Sequence, residues 1–463
     1  MVDVLLTHGY FLAEDVNEQA IMKPYPPLGL LYLSAYLTRT GFAVEVFDTT
    51  FTTRRALADR LAATPGGVVG VYTNLMTRGS VVWLMGEARR HGWTVVAGGP
   101  ESANYPTEYL QHGAHVVVAG EGEQSLAEVL VALRDRGPHR LEGVAGTVFR
   151  DERGRIVTND AREQVRDIDG LPWPDRDAID TGRYIEVWRT HHGMGSVNLI
   201  TARGCPYKCN WCSHATYGHT HRRRAPAECA AEVAHIMERY APDQVWYADD
   251  VFTISHRWLF DYAAELKGRG LRVPFETISR ADRMRKDEVL ATLADMGCYR
   301  IWIGSESGSQ RILDAMQRGV TTDEVRFATK AAQRHGLQVG MFLMWGYEGE
   351  TIDDIEATIE HVKATNPDIF FTTVSYPIKG TGYYAEVSDK LRITGEWAAT
   401  TDRDLRIAGR HSRAYYGHAD EWLRAEVDAF RLDGVDAAGA GGRRDDAARA
   451  RGDLLAVADQ VEA

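Results

Sequence analysis

GCPYKCNWCSHATYGHTHRRR, residues 204–224, places Cys205, Cys209 and Cys212 at C-x3-C-x2-C spacing. Three thiolates on one tight loop can each reach a different iron of a [4Fe–4S] cube and leave the fourth iron without a protein ligand. An open iron binds a small molecule, which a reactive cluster needs and an electron-storing one does not. Zinc sites usually pair their ligands as CxxC with a second pair far away, and no such second pair exists here. Cys229 and Cys298 stand alone in helix-like or helix–strand contexts and read as core residues. Five cysteines in 463 residues argue against a disulfide framework and for a reducing, cytoplasmic setting.

The bulk composition is that of a globular protein, with 44% apolar and 25% charged residues. A net charge of -12 disfavours nucleic acid as a partner. The opening MVDVLLTHGYFLAEDV lacks the basic and apolar regions of a signal peptide. The run LGLLYLSAYL is too short to span a bilayer, so no membrane span is expected.

Before the cysteine loop, β-branched, nearly continuous apolar runs at 2–8, 43–48, 68–74, 94–100 and 115–121 read as strands buried on both faces. Helix-like segments at 28–39, 54–63, 80–91 and 123–135 lie between them. The pattern predicts an α/β, doubly wound, flavodoxin-like parallel sheet, with ligands beyond the carboxyl ends of its strands. Those ends carry His8-Gly9, Thr73-Asn74-Leu75-Met76, Gly98-Gly99-Pro100-Glu101 and Gly120-Glu121-Gly122. Glycines there let backbone approach a bulky flat ligand, and equally serve tight βα turns. Residues 142–160 read as a β-hairpin, and 163–180, with two prolines and many charges, as a linker.

After the linker the strand–helix rhythm resumes, with strands at 196–202, 244–250, 275–280, 300–307, 339–346 and 368–377. Six βα units predict a partial (β/α)6 TIM-type barrel, its cysteine loop following the first strand at the C-terminal face. Residues 386–432 predict a helical cap whose aromatics suit a ring-bearing or apolar molecule. Residues 433–463, poor in large apolar side chains, predict a disordered or loosely helical tail. The expected domains are therefore 1–140, a 141–190 hairpin and linker, 191–385, 386–432 and 433–463.

Together, CPYKCNWC with Trp211 before its last cysteine, PPLGLLYLSAYL (26–37, with Leu28 and Gly29), GGPES (98–102) and GEGE (120–123) resemble the cobalamin (B12)-dependent radical S-adenosylmethionine (SAM) enzymes. The resemblance covers residues 1 to about 385. It implies that residues 1–140 bind cobalamin and that the three cysteines hold the cluster. SAM's methionine moiety would chelate the open iron, and an external flavodoxin- or ferredoxin-type donor would supply one electron. SAM cleavage would give a 5′-deoxyadenosyl radical that removes hydrogen from an unreactive carbon of a small-molecule substrate. That carbon would then take a methyl group from methylcobalamin.

By the same resemblance, Asp249 and Asp250 hold the SAM amine, Arg280 its carboxylate, and Ser305, Glu306 and Ser307 its ribose. Trp211, Pro377 and Ile378 would lie against SAM. Each has a plainer alternative: a helix N-cap for the aspartates, a structural ion pair for Arg280. On the cobalamin side the D-x-H-x-x-G pattern is missing after the first strand. His8 is the one candidate ligand at that strand end, and a lone histidine there is commonly structural. The loop 73–78, with Leu75 and Met76, would leave cobalt weakly ligated. The basic run Arg222–Arg224 suits an anionic substrate or the corrin rim, or simply a solvated face. The leading expectation is a C-methyltransferase. A cyclase or other oxidative enzyme, as in the anaerobic porphyrin-ring cyclase branch, is the alternative, and a cobalamin or redox sensor the third reading. The substrate is expected between the two cofactors.

Overall fold

A computed structural model describes residues 2–463. The first sheet contains β1 (Val4–His8), β2 (Val44–Phe47), β3 (Gly67–Tyr72), β4 (Trp93–Gly98), β5 (Val116–Val118), β6 (Thr147–Arg150) and β7 (Ile156–Thr158). Its order is β2-β1-β3-β4-β5-β6-β7. The first five strands are parallel, and the hairpin β6–β7 adds antiparallel to β5. The hairpin expected beside the linker thus belongs to the first sheet and pairs an edge that would otherwise be open.

Alternation explains why these strands read as continuous apolar runs. Leu5, Val69, Val71, Val95 and Val117 face one core with Val81, Leu84 and Met85. Val4, Leu6, Val96, Val116 and Val118 face the other with Leu30, Leu37, Leu126 and Leu130. Each such buried side chain contributes about 1.5–3 kcal/mol. The 2-1-3-4-5 order puts the topological switch point between β1 and β3, so the ends after His8 and after Tyr72 flank the crevice where this fold holds ligands.

The second parallel sheet is built from β8 (Ser196–Leu199), β11 (Gln244–Tyr247), β12 (Phe275–Ser279), β13 (Cys298–Glu306), β14 (Gln338–Trp345) and β15 (Ile369–Val374), in the order β15-β14-β13-β12-β11-β8. Two short strands, β9 (Ala202–Arg203) and β10 (Arg222–Arg223), pair antiparallel and close the base of the cysteine loop. The fold is therefore a flavodoxin-like sheet followed by a partial barrel. Two compact units divide the chain: residues up to Pro206 with Ser213–Ala248 and Gly395–Asp402, and Tyr207–Cys212 with Asp249–Thr394 and Arg403–Ala463.

Three segments differ from expectation. Thr181–His192, placed in the linker, is a helix capped by the Asp180 side chain on the Arg183 amide, with Tyr184, Ile185 and Trp188 buried along one face. The cap region has one long α-helix, Arg413–Leu432, after three short 3-10 turns, and its Tyr415, Tyr416 and Trp422 are buried. Residues 433–463 do not form a disordered tail. Ala437–Ala456 is a helix packed along Arg413–Leu432. Its buried residues are Ala440, Ala447, Ala450 and Leu454, three alanines and one large apolar side chain. Among the described residues no helix is long and apolar enough to cross a membrane.

Candidate active site

Gly204 opens the cysteine loop at φ +81°, in the left-handed region that favours glycine. A Cβ there would also run into the Thr220 carbonyl. Cys205, Cys209 and Cys212 are all partly buried, and no disulfide joins them. The Cys212 amide donates to the Cys209 carbonyl at 3.1 Å, folding the last C-x2-C into a turn.

The residues between the cysteines are pinned. Asn210 donates to Tyr347 Oη at 3.1 Å and Glu386 Oε2 at 2.8 Å. Its backbone amide donates to the Met316 carbonyl, and its carbonyl accepts from the Tyr383 amide. Trp211 packs against Ile312, Met316, Met344, Tyr347 and Tyr383. Its buried Nε1–H has no hydrogen-bond partner, a donor left for a ligand. Tyr207 lies under the Arg280 guanidinium, 3.6 Å from the ring centre, and its hydroxyl accepts from Arg283 Nε.

Cys209 Sγ lies 3.7 Å from Arg280 Nη1 and 3.6 Å from Arg318 Nη1. Arg280 also donates from Nε to Asp282 at 2.9 Å and from Nη2 to the Arg318 carbonyl at 2.8 Å. Arg280, expected on the SAM carboxylate, is thus directed largely at the cysteine loop. Arg318 was not singled out from sequence. In MQRGV, just past a short helix, it reads as an ordinary helix-end cation.

The fourth-strand candidates separate at the end of β13, where the pairing with β14 shifts register between Gly304 and Glu306. Ser305 bonds His361 Nε2 at 3.2 Å, and Ser307 bonds Thr358 Oγ1 at 3.2 Å, both on helix Ile352–Thr365. Glu306 faces the other way, with Oε1 3.8 Å from Arg318 Nε, in a left-handed backbone (φ +63°) rare outside glycine. Burial raises its carboxyl above the usual range against the pull of Arg318 and Arg280. Of the three residues expected on the ribose, the structure brings Glu306 alone to the cysteine side.

Asp249 is buried and Asp250 exposed, just past β11. Pro377 is buried and Ile378 half-buried in the loop after β15, where the Ile378 carbonyl accepts from Thr381. Glu350, also missed, accepts from the Gly346 amide at 2.6 Å. Its other oxygen is buried without a partner, and burial pushes its carboxyl up to about 8.

At the first sheet, most candidate side chains are committed within the fold. His8 bonds Asp48 through Nε2 (2.9 Å), while Nδ1 meets Thr49 Oγ1 (3.0 Å) and the Tyr10 amide (3.2 Å). Both ring nitrogens are therefore engaged, and His8 is a structural residue here rather than a candidate ligand for cobalt. Thr73 donates to the Gly98 carbonyl and accepts from the Ser102 amide, and Asn74 caps the turn Leu75–Thr77. Glu101 accepts from buried Arg78 at 2.6 Å, and Arg78 also donates to Asp402 (3.0 Å) and to the Thr400 carbonyl (2.7 Å). Glu121 accepts from Arg203 (2.7 Å), Arg222 (2.6 Å) and the Val165 amide (2.8 Å). Arg222 and Arg224, the latter paired with Glu232, serve internal ion pairs and not a solvated basic face.

The glycines divide in the same way. A Cβ at Gly9 would press on Val81 and at Gly99 on the Thr73 backbone, so these two are required by packing, while at Gly122 it would crowd only the end of Leu33. At Gly29, Gly98 and Gly120 a Cβ would meet its neighbours only at ordinary contact distance, nothing nearer than 3.7 Å. Leu28 is buried beside Gly29, while Pro100 starts the short helix Pro100–Asn104. The residues thus fit the implied groups: three thiols with charged donors at one sulfur, and less crowded glycines at the strand ends. No group of three or more His, Cys, Asp or Glu among the described residues converges on one point as a single-ion site requires. Cysteines of a cube each bind a different iron, so they need not converge.

Comparison with known proteins agrees. The radical SAM superfamily model matches residues 199–362, and the B12 binding domain model matches residues 20–130. An uncharacterised methyltransferase of Pyrococcus horikoshii is 26% identical over 407 residues, covering 86% of each chain. The anaerobic magnesium-protoporphyrin IX monomethyl ester cyclase of Rubrivivax gelatinosus is 23% identical over 80% of this chain and 67% of its own. The radical SAM methyltransferase TsrM of Kitasatospora setae, solved with cobalamin and a [4Fe–4S] cluster, shares the fold at TM-score 0.73 and 19% identity, over 98% of this chain and 100% of that one. The cofactors are accordingly a [4Fe–4S] cluster, SAM and cobalamin. With a B12-binding domain ahead of a radical SAM domain, the chain belongs to the cobalamin-dependent radical SAM enzymes.

Proposed function

We propose that the protein is a C-methyltransferase acting on an unactivated carbon of a small molecule. The observation that carries this reading is at the switch point of the first sheet. His8 has both ring nitrogens engaged, and the loop after β3 presents Leu75 and an exposed Met76. That end supplies no imidazole to cobalt, and a weakly ligated cobalt yields its methyl group more readily to a carbon radical. When bound, the three cofactors supply reductive SAM cleavage, hydrogen abstraction and methyl transfer from methylcobalamin.

The residues divide the work. Cys205, Cys209 and Cys212 hold the cluster within 191–385. Asp249, Asp250, Glu306, Trp211, Pro377 and Ile378 hold SAM, with charged hydrogen bonds from its amine to the carboxylates. Backbone at Gly29, Gly98 and Gly120 receives the corrin within 1–140. A flavodoxin- or ferredoxin-type protein delivers the electron in the cytoplasm.

The similarity to the porphyrin ester cyclase favours one rival, an oxidative reaction without methyl transfer. The anaerobically reconstituted enzyme, given SAM, cobalamin and reductant, separates the two by its products. A methyltransferase forms S-adenosylhomocysteine as SAM methylates reduced cobalamin, besides 5′-deoxyadenosine. Formation of 5′-deoxyadenosine with no S-adenosylhomocysteine above background overturns the reading.

A further inference from the structure

Two guanidinium groups, Arg280 at 1% exposure and Arg318 at 7%, aim N–H donors at a single sulfur, Cys209 Sγ. Both are held in place by other bonds. Arg280 is fixed by Asp282, the Arg318 carbonyl and the Tyr207 ring, and what remains of its fork is Nη1 on the sulfur. Arg318 donates from Nη2 to the Gly304 carbonyl at 2.9 Å and from Nη1 to the sulfur at 3.6 Å. Its Nε, 3.8 Å from Glu306, is beyond hydrogen-bond distance. Gly304 leaves the room this requires, because a Cβ there would come within 2.9 Å of Arg318 Nη2.

The other charged groups beside the sulfur are Asp282, which pairs with Arg280, and Glu306, 3.8 Å from Arg318 Nε, while Arg283 lies partly exposed beyond Asp282.

We propose that Arg318, seconded by Arg280, sets the reduction potential of the cluster by donating N–H hydrogen bonds to the Cys209 sulfur. An added electron makes a thiolate-held cube more negative. Donors aimed at a ligand sulfur stabilise that charge and raise the potential. The low polarity around two buried arginines strengthens the effect. A guanidinium also keeps its proton throughout the working range of pH, so the contribution is constant where a histidine's would vary. Arg318 is a tuning residue and needs no contact with substrate. The proposal rests on the cysteines holding the cluster and not on which product the enzyme makes.

The test is an EPR-monitored redox titration of the reconstituted full-length enzyme without substrate. Arg318→Met should move the midpoint to a more negative potential with iron and sulfide content unchanged. Arg318→Lys, which keeps the charge but loses the fork, should move it less. An Arg318→Met enzyme with a full cluster and the wild-type midpoint overturns the proposal. Should both variants fail to hold a cluster, the wild-type protein labelled with 15N-arginine decides. Pulsed EPR of its reduced cluster should show coupling to arginine nitrogen, and absence of that coupling overturns the proposal. A wild-type protein that binds no iron would instead refute the cysteine assignment, a separate failure.

Discussion

The strand ends of the first sheet and the surroundings of the cysteine loop were both expected to hold cofactors, and their side chains are used in opposite ways. At the first sheet, His8, Glu101 and Glu121 are committed to Asp48, Arg78 and Arg203. The glycines Gly29, Gly98 and Gly120 are less crowded, a Cβ at each meeting nothing nearer than 3.7 Å. Around the cysteine loop, side-chain donors are directed at the loop or left without a partner: Arg280 and Arg318 on Cys209, and Trp211 Nε1 unpaired. A corrin is large and flat, and shape with backbone contact suffices to seat it. A cluster with SAM is compact and charged, and needs directed side chains.

Four predictions sharpen that contrast. The largest effect is at the cysteines. Replacing Cys205, Cys209 or Cys212 by Ala should abolish the cluster absorption near ~400 nm expected of thiolate-held iron. A full cluster in all three variants breaks the assignment. Next, Arg78→Ala strands two buried carboxylates, Glu101 and Asp402. It should cost about 3–5 kcal/mol in stability, since removing one partner of a buried pair leaves an uncompensated charge. Urea unfolding measures this, and a loss under about 1 kcal/mol, the range of surface pairs, would return the network to the surface class.

Third, Glu350 binds its proton more tightly in the folded state, its carboxyl being raised to about 8. A folded state that holds more protons loses stability as pH rises from the unfolded value toward 8. Glu350→Gln, which mimics the protonated form, should therefore exceed wild type in stability at pH 8 and match it near pH 4.5. Thermal melts across that window check the sign, and a gap that widens toward acid contradicts it. The smallest contrast is within one strand. Glu306→Gln should weaken SAM binding about tenfold or more, the usual worth of a charged hydrogen bond, while Ser305→Ala and Ser307→Ala leave it within about twofold. Calorimetry decides, and equal losses from all three would place the serines back at the ligand.

The order of strands and helices, and the position of the cysteine loop, were legible because periodicity and spacing carry them locally. What stayed hidden depends on three-dimensional placement. Ser305, Glu306 and Ser307 form one SES triplet, and only the observed register shows that alternate residues face opposite sides. Arg318 lies far from Cys209 in sequence, and no spacing rule links them. The helix Ala437–Ala456 hides its packing face in alanines, whose small size lets two helices approach closely. Glu101 and Glu121 stand at strand ends, where the pattern points to ligand contacts, yet each meets a buried arginine that no spacing rule pairs with it.

The most direct test of the contrast is the iron and cobalamin content of one anaerobic preparation of Gly98→Leu. A Cβ at Gly98 would stand at ordinary contact distance from Val118, 3.9 Å, and leucine carries its further bulk beyond that Cβ. The predicted result is a full complement of iron with cobalamin lost. Cobalamin retained at the wild-type level would contradict the claim that backbone at these strand ends seats the corrin.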